Sequence, residues 1–118
     1  MIDEVMTIGG ERLQIGADGV VDPESRSYIE VDLAEVKECL HWLGRAESTS
    51  DATVNSFWLK HVVQHWSGSD ISNGAVIVAA HRLGFPIDRD PAGKNANVVI
   101  GIARHCIDEF DCGCGHPS

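Results

Sequence analysis

Between Met1 and Val31 the apolar positions come in short pieces separated by Gly9-Gly10, Gly16, Asp18-Gly19 and Pro23, the punctuation of β-hairpins rather than helices. Met6 to Ile8, Arg12 to Ile15 and Val20 to Val21 are the candidate strands, with Ser27 to Val31 a fourth. The spacing then changes. Asp32 followed three residues later by Glu35 fits a helix start, one side chain accepting an orphan amide and the acid favouring the positive helix end. From Leu33 a helix places Leu33, Val36, Cys39, Leu40 and Leu43 on one face and ends at Gly44. Cys39 reads as a small core residue.

A second helix is predicted from about Thr53 to Trp66, with Trp58, Leu59, Val62, Val63 and Trp66 as its apolar stripe. Phe57, His61 and His65 form a separate ridge at i, i+4, i+8, suited to the interior or to a partner contact. Ser72 is the expected N-cap of a third helix running to Leu83, closed by Gly84, Phe85 and Pro86. Val76-Ile77-Val78 gives a competing strand reading, but the alanines and the end signals favour the helix. Apolar almost all round, it should be central and buried. Pro86 to Asn97 reads as an exposed loop, and Val98 to Ala103 as a buried strand returning to the N-terminal sheet. The sum is an α+β fold: a small N-terminal antiparallel sheet packed on about three helices, with a late strand returning to it. Length fits one globular domain over residues 1–107, followed by an acidic Cys/His-containing tail over 108–118.

Charge changes the picture more than composition does. Residues 1–51 hold twelve Asp or Glu against four Lys or Arg. Residues 52–107 hold three acids and five bases, and the last eleven hold three acids and no base. Nearly all of the net charge of -9 is therefore N-terminal, as expected of an anionic surface offered to a cationic partner. The candidate contacts are Asp18, Asp22, Glu24, Glu30, Glu35, Glu38, Glu47 and Asp51. The plainer account of these acids is solubility. The start, MIDEVMTIGG, has acids where a signal peptide needs bases, and no apolar run approaches the roughly 18 residues of a membrane span. A cytoplasmic protein with no membrane contact is the expectation, its four cysteines reduced.

The densest set of metal-ligand types is C-terminal: His105, Cys106, Cys112, Cys114 and His116. Thiolate and imidazole together suit Zn²⁺, although C-x-C spacing is tighter than the C-x-x-C of most zinc knuckles. An inert acidic tail with no cofactor is the leading expectation, and a small zinc-binding structural or sensor domain using these residues the alternative. His61 and His65 suit joint metal binding with His81 or His105 as a third ligand, but Val62, Val63 and Gln64 between them omit the glutamate of the zincin pattern. A hydrolase or transferase with a histidine base would need a cleft lined by His61, His65 and His81. The stretch AGKN at 92–95 lacks the other residues of a phosphate loop. A helix-turn-helix reading of the second and third helices fails because the latter presents Ala, Val and Ile where base edges need polar side chains, so direct nucleic-acid binding is disfavoured. The chain reads as a non-enzyme.

Ser56 to Ile102 carries Leu59-Lys60-His61, a Ser72-Asn73-Gly74 opening, Ala79-Ala80, Gly84-Phe85, and Asn95 with Asn97 before the last strand. In these features the segment resembles a family of small phage and mobile-element proteins with no assigned activity. The resemblance covers under half of the chain and transfers no catalytic residue; it implies a phage or plasmid context. With the charge pattern, the expectation is a non-enzymatic inhibitor or regulator that engages a basic surface of a host nucleic-acid-handling protein, such as a CRISPR effector, its carboxylates standing in for phosphates. A second copy of the chain is a further expected partner, through aromatic side chains on the Phe57 ridge.

Overall fold

A computed structural model of the chain describes residues 4–8, 10–21, 29–90 and 96–103. Strand β1 (Glu4–Ile8) pairs antiparallel with β2 (Glu11–Gly16), which pairs antiparallel with β3 (Gly19–Val20). Alternation sets their faces: Met6, Ile8, Leu13 and Ile15 are buried, whereas Val5, Thr7 and Arg12 face outward. These three strands stand within a residue or two of where the hydrophobic pieces place them. Of the expected fourth strand, residues 27 and 28 lie outside the described residues. Ile29 is exposed and gives its carbonyl to the Ala17 N–H at 2.7 Å.

Helix α1 (Leu33–Leu43) begins where Asp32 accepts from the Ala34 N–H at 2.9 Å. Its buried residues are Val36, Cys39, Trp42 and Leu43. Leu33, expected on that face, is exposed, and Trp42, fully buried, belongs there instead. Gly44 ends the helix in a right-handed conformation with its N–H on the Leu40 carbonyl, so the stop is not a left-handed cap.

The second helix starts later than its apolar pattern indicates. Val54–Asn55 is a short strand, β4, and Asn55 caps α2 (Ser56–Ser67) by accepting from the Phe57 N–H at 2.8 Å. Buried Ser56 Oγ accepts from the Val98 N–H at 3.0 Å, tying the head of α2 to the sheet beneath it. Helix α3 (Asn73–Arg82) is the central element: every residue from Asn73 to Ala80 is buried, and it packs on α1, α2, β2 and β3. Its C-terminus is a Schellman motif. The Phe85 N–H donates to the Ala80 carbonyl at 3.0 Å and the Gly84 N–H to the His81 carbonyl at 3.1 Å, with Gly84 at φ +82°.

The late strand departs from expectation. Strand β6 (Val98–Ile100) joins β4 and β5 (Ile87–Arg89) in a second antiparallel sheet of order β4-β6-β5. It does not extend the N-terminal sheet; β4 and β5 occupy both of its edges. The N-terminal sheet is reached just before it, where the Val20 N–H donates to the Ala96 carbonyl at 2.8 Å. The expected loop from Pro86 to Asn97 therefore contains a strand. Among the described residues, two small antiparallel sheets and three helices make the fold α+β, with the N-terminal sheet packed on helices. Among the described residues no helix is long and apolar enough to cross a membrane.

Candidate functional site

Two regions carry described side chains that the sequence singles out. The first holds the candidate acids Asp18 and Glu35 and is organised by the start of α3. Ser72 accepts from the Ala75 N–H through its Oγ at 3.2 Å, and its own N–H donates to Glu35 Oε1 on α1 at 2.9 Å. Beside it, Asn73, only 4% exposed, sends Nδ2 to the Asp18 carbonyl at 3.0 Å and to Asn97 Oδ1 at 2.9 Å. Gly74 completes the junction: its N–H donates to the Ala17 carbonyl at 2.9 Å, and a Cβ there would collide with the Gly16 carbonyl oxygen. Three separate segments, the β2–β3 turn, α1 and the stretch at residues 96–97, are thus fixed to one helix end. The turn itself depends on Gly19, at φ +115°, where a Cβ would strike the Ala96 carbonyl.

This junction draws two of the candidate acids together. The backbone of Asp18 and the carboxylate of Glu35 are held by consecutive residues at the positive end of the α3 dipole. Glu35 thereby closes an orphan amide of a different helix from its own. Asp18 is exposed; Glu35 and Glu38, one turn along α1, are half-buried. Burial pushes the thiol of Cys39, next to Glu38 on the same helix, well above its ordinary value, and the negative charges of Glu35 and Glu38 add to the rise. A Cys held protonated in this way is packing, not a nucleophile.

Glu30 is half-buried ahead of α1, and Glu47 and Asp51 are exposed on the segment between α1 and β4. That segment is fixed along the second sheet: the Ala103 N–H donates to the Glu47 carbonyl at 2.9 Å, the Thr49 N–H to the Gly101 carbonyl at 3.0 Å, and Ser48 bridges Ile102. Asp22 and Glu24 lie outside the described residues, as do the tail residues His105, Cys106, Cys112, Cys114 and His116.

The second region is the outer face of α2. Leu59, Val62 and Val63 are buried, but Trp58, placed in the apolar stripe by its spacing, is 41% exposed and Phe57 49%. The Phe57–His61–His65 ridge points outward. The Phe57 and His61 rings meet edge to face, centroids 4.9 Å apart, and Lys60 Nζ lies 5.3 Å from the Phe57 ring centroid. At the far end of the helix a surface depression of about 520 Å³ is lined by His61, Gln64, His65, Gly68, Ser69 and Asp70. Gly68, left-handed at φ +73°, turns the chain at the end of α2, and Ser69 and Asp70 beyond it line the depression along with the two histidines. Gln64 secures that turn, accepting from the Gly68 N–H through its carbonyl at 2.9 Å and from the Ile71 N–H through Oε1 at 3.2 Å.

His81, the proposed third member of a histidine cluster, does not line this depression; it is exposed in the last turn of α3. Among the described residues no three His, Cys, Asp or Glu side chains converge as a metal site. The histidine ridge was legible at its i, i+4 spacing, whereas the role of Asn73 had no local signal: a buried amide reaching residues 18 and 97 is set by topology.

No family model, no curated protein and no solved structure matches this chain.

Proposed function

We propose that the chain is a non-enzymatic binding protein whose acidic surface engages a basic surface on a nucleic-acid-handling host protein, as an inhibitor or regulator carried by a mobile element. The observation that carries this reading is the fixed presentation of negative charge. The backbone of Asp18 and the carboxylate of Glu35 are pinned at the start of α3, Glu38 follows on α1, and the backbone at Glu47 is bound along the second sheet. Carboxylates held on rigid elements match a cationic groove at lower entropic cost than the same charges on a loose chain.

The partner would contribute Lys and Arg that ordinarily contact phosphate, so association should be fast and salt-dependent. The test is capture of partners from a bacterial host lysate at two salt concentrations, followed by affinity measurement with a Glu38→Lys, Glu47→Lys, Asp51→Lys variant. Glu35 is left intact because its carboxylate holds Ser72. At about 0.5 kcal/mol per substituted position, the triple reversal weakens binding roughly tenfold and flattens its salt dependence. Unchanged affinity for the captured partner would overturn the electrostatic account. Metal content of the same preparation addresses the zinc alternative: stoichiometric zinc, lost in a Cys112→Ser, Cys114→Ser variant, with no partner retained, would favour the C-terminal metal site.

A further inference from the structure

We propose that His61 and His65 form a two-point chelate for a divalent late first-row transition metal, Cu²⁺, Ni²⁺ or Zn²⁺, at the C-terminal end of α2. Four residues apart on an exposed helical face, the two side chains start about 5–6 Å from each other at Cβ, so both imidazoles can reach one ion at roughly 2.0–2.1 Å. Both line the same depression of about 520 Å³, which leaves room for an ion together with water or a donor from outside the chain.

Three features of the surroundings favour a cation there. The depression lies at the negative end of the α2 dipole, next to its C-cap Gly68. Asp70 lines it and supplies negative charge without being a ligand. The His61 ring is already oriented edge to face by Phe57, at 85° between planes, so less freedom is lost when it binds. Gln64 contributes no donor because both of its oxygens accept hydrogen bonds within the turn. Two protein ligands fall short of the three of a catalytic zinc site and the four of a structural one. The arrangement is therefore an open, exchangeable site, and the order of affinity should follow ligand-field preference, with Cu²⁺ tightest. Its two ligands are drawn neither from the acidic surface nor from the C-terminal Cys and His residues.

The experiment is a Zn²⁺ titration of the full chain followed at the histidine ring protons by NMR, with His61→Gln and His65→Gln variants checked for helicity by circular dichroism. The rings of His61 and His65 should shift together with one midpoint, while those of His41 and His81 stay in place. Each substitution should weaken binding at the remaining ring about 100-fold, the loss expected when the second bond is no longer intramolecular. Separate midpoints for the two rings, a His61 midpoint indifferent to His65→Gln, or zinc uptake that leaves both rings unmoved because the C-terminal thiols hold the metal would each overturn the proposal. The wild-type titration decides the matter should a variant fail to fold.

Discussion

Helices α2 and α3 differ little in length, twelve residues against ten, yet the molecule uses them in opposite ways. In α3, eight consecutive residues are buried, and the polar one among them, Asn73, together with the cap residue Ser72 just ahead of the helix, is consumed in fastening neighbouring segments. In α2, burial is confined to Ser56, Leu59, Val62 and Val63, and two aromatic rings and two imidazoles are left at the surface. One helix specifies the fold, and the other is free to vary in what it presents. A chemical role is compatible with α2 because its exposed side chains bear little of the folding energy.

The contrast is broken most severely at Gly74. An alanine there drives a methyl group into the Gly16 carbonyl, where backbone and not a flexible side chain must yield. Gly74→Ala should destabilise by about 3 kcal/mol, at the upper end of overpacking costs, read as a lowered midpoint in urea unfolding. Asn73→Ala comes next. It leaves the Asp18 carbonyl without its buried donor and removes the bond to Asn97, for a loss of about 2 kcal/mol. If either substitution is tolerated within 0.5 kcal/mol or so, the junction at the start of α3 is not the organising centre described above.

That junction also marks where sequence reasoning stops. The ends of α3 were legible because their signals are local: Ser72 caps, Gly84 takes positive φ, and Phe85 closes the motif. The start of α1 at Asp32 was legible for the same reason. What was not legible is set by distant partners. Glu35 has the spacing of a capping box within its own helix, but its carboxylate serves Ser72. Ile87–Arg89 sits in a Pro- and Gly-rich stretch and becomes a strand because β6 lies alongside it. Val54–Asn55 fits the helical pattern that follows it, although Asn55 followed by an apolar run is itself a cap signal. For the candidate site, periodicity gave the ridge of Phe57, His61 and His65 but not its direction. Phe57 and Trp58 are both apolar, and a buried arc centred on Leu59, Val62 and Val63 leaves them both outside.

A third, smaller effect separates α1, which covers α3, from the exposed helix. Cys39 is buried with its thiol raised by desolvation and then by Glu35 and Glu38. Because the folded state holds this proton more tightly than the unfolded chain, the stabilisation is complete below the ordinary thiol value of 9.0 and is lost as pH rises above it. Wild-type stability should therefore fall by up to about 1.4 kcal/mol per pH unit more steeply than that of Cys39→Ala above pH 9. Parallel curves for the two proteins would mean that Cys39 is far more accessible than its packing implies.

The smallest effect is expected where the contrast predicts almost none. Trp58→Ala removes a large side chain, and in a core such a change costs about 3–5 kcal/mol. At a position 41% exposed, the cost should stay near 0.5 kcal/mol, and Phe57→Ala should behave alike apart from loosening the His61 ring. Leu59→Ala, one residue along the same helix but fully buried, should cost about 3 kcal/mol, so propensity and helix length are controlled within a single element. A loss at Trp58 equal to that at Leu59 would place the tryptophan inside a contact made in solution, most simply with a second copy of the chain, since aromatics are enriched at such interfaces. Dilution would then restore the difference: an interface contribution depends on protein concentration, whereas the cost of a cavity at Leu59 does not.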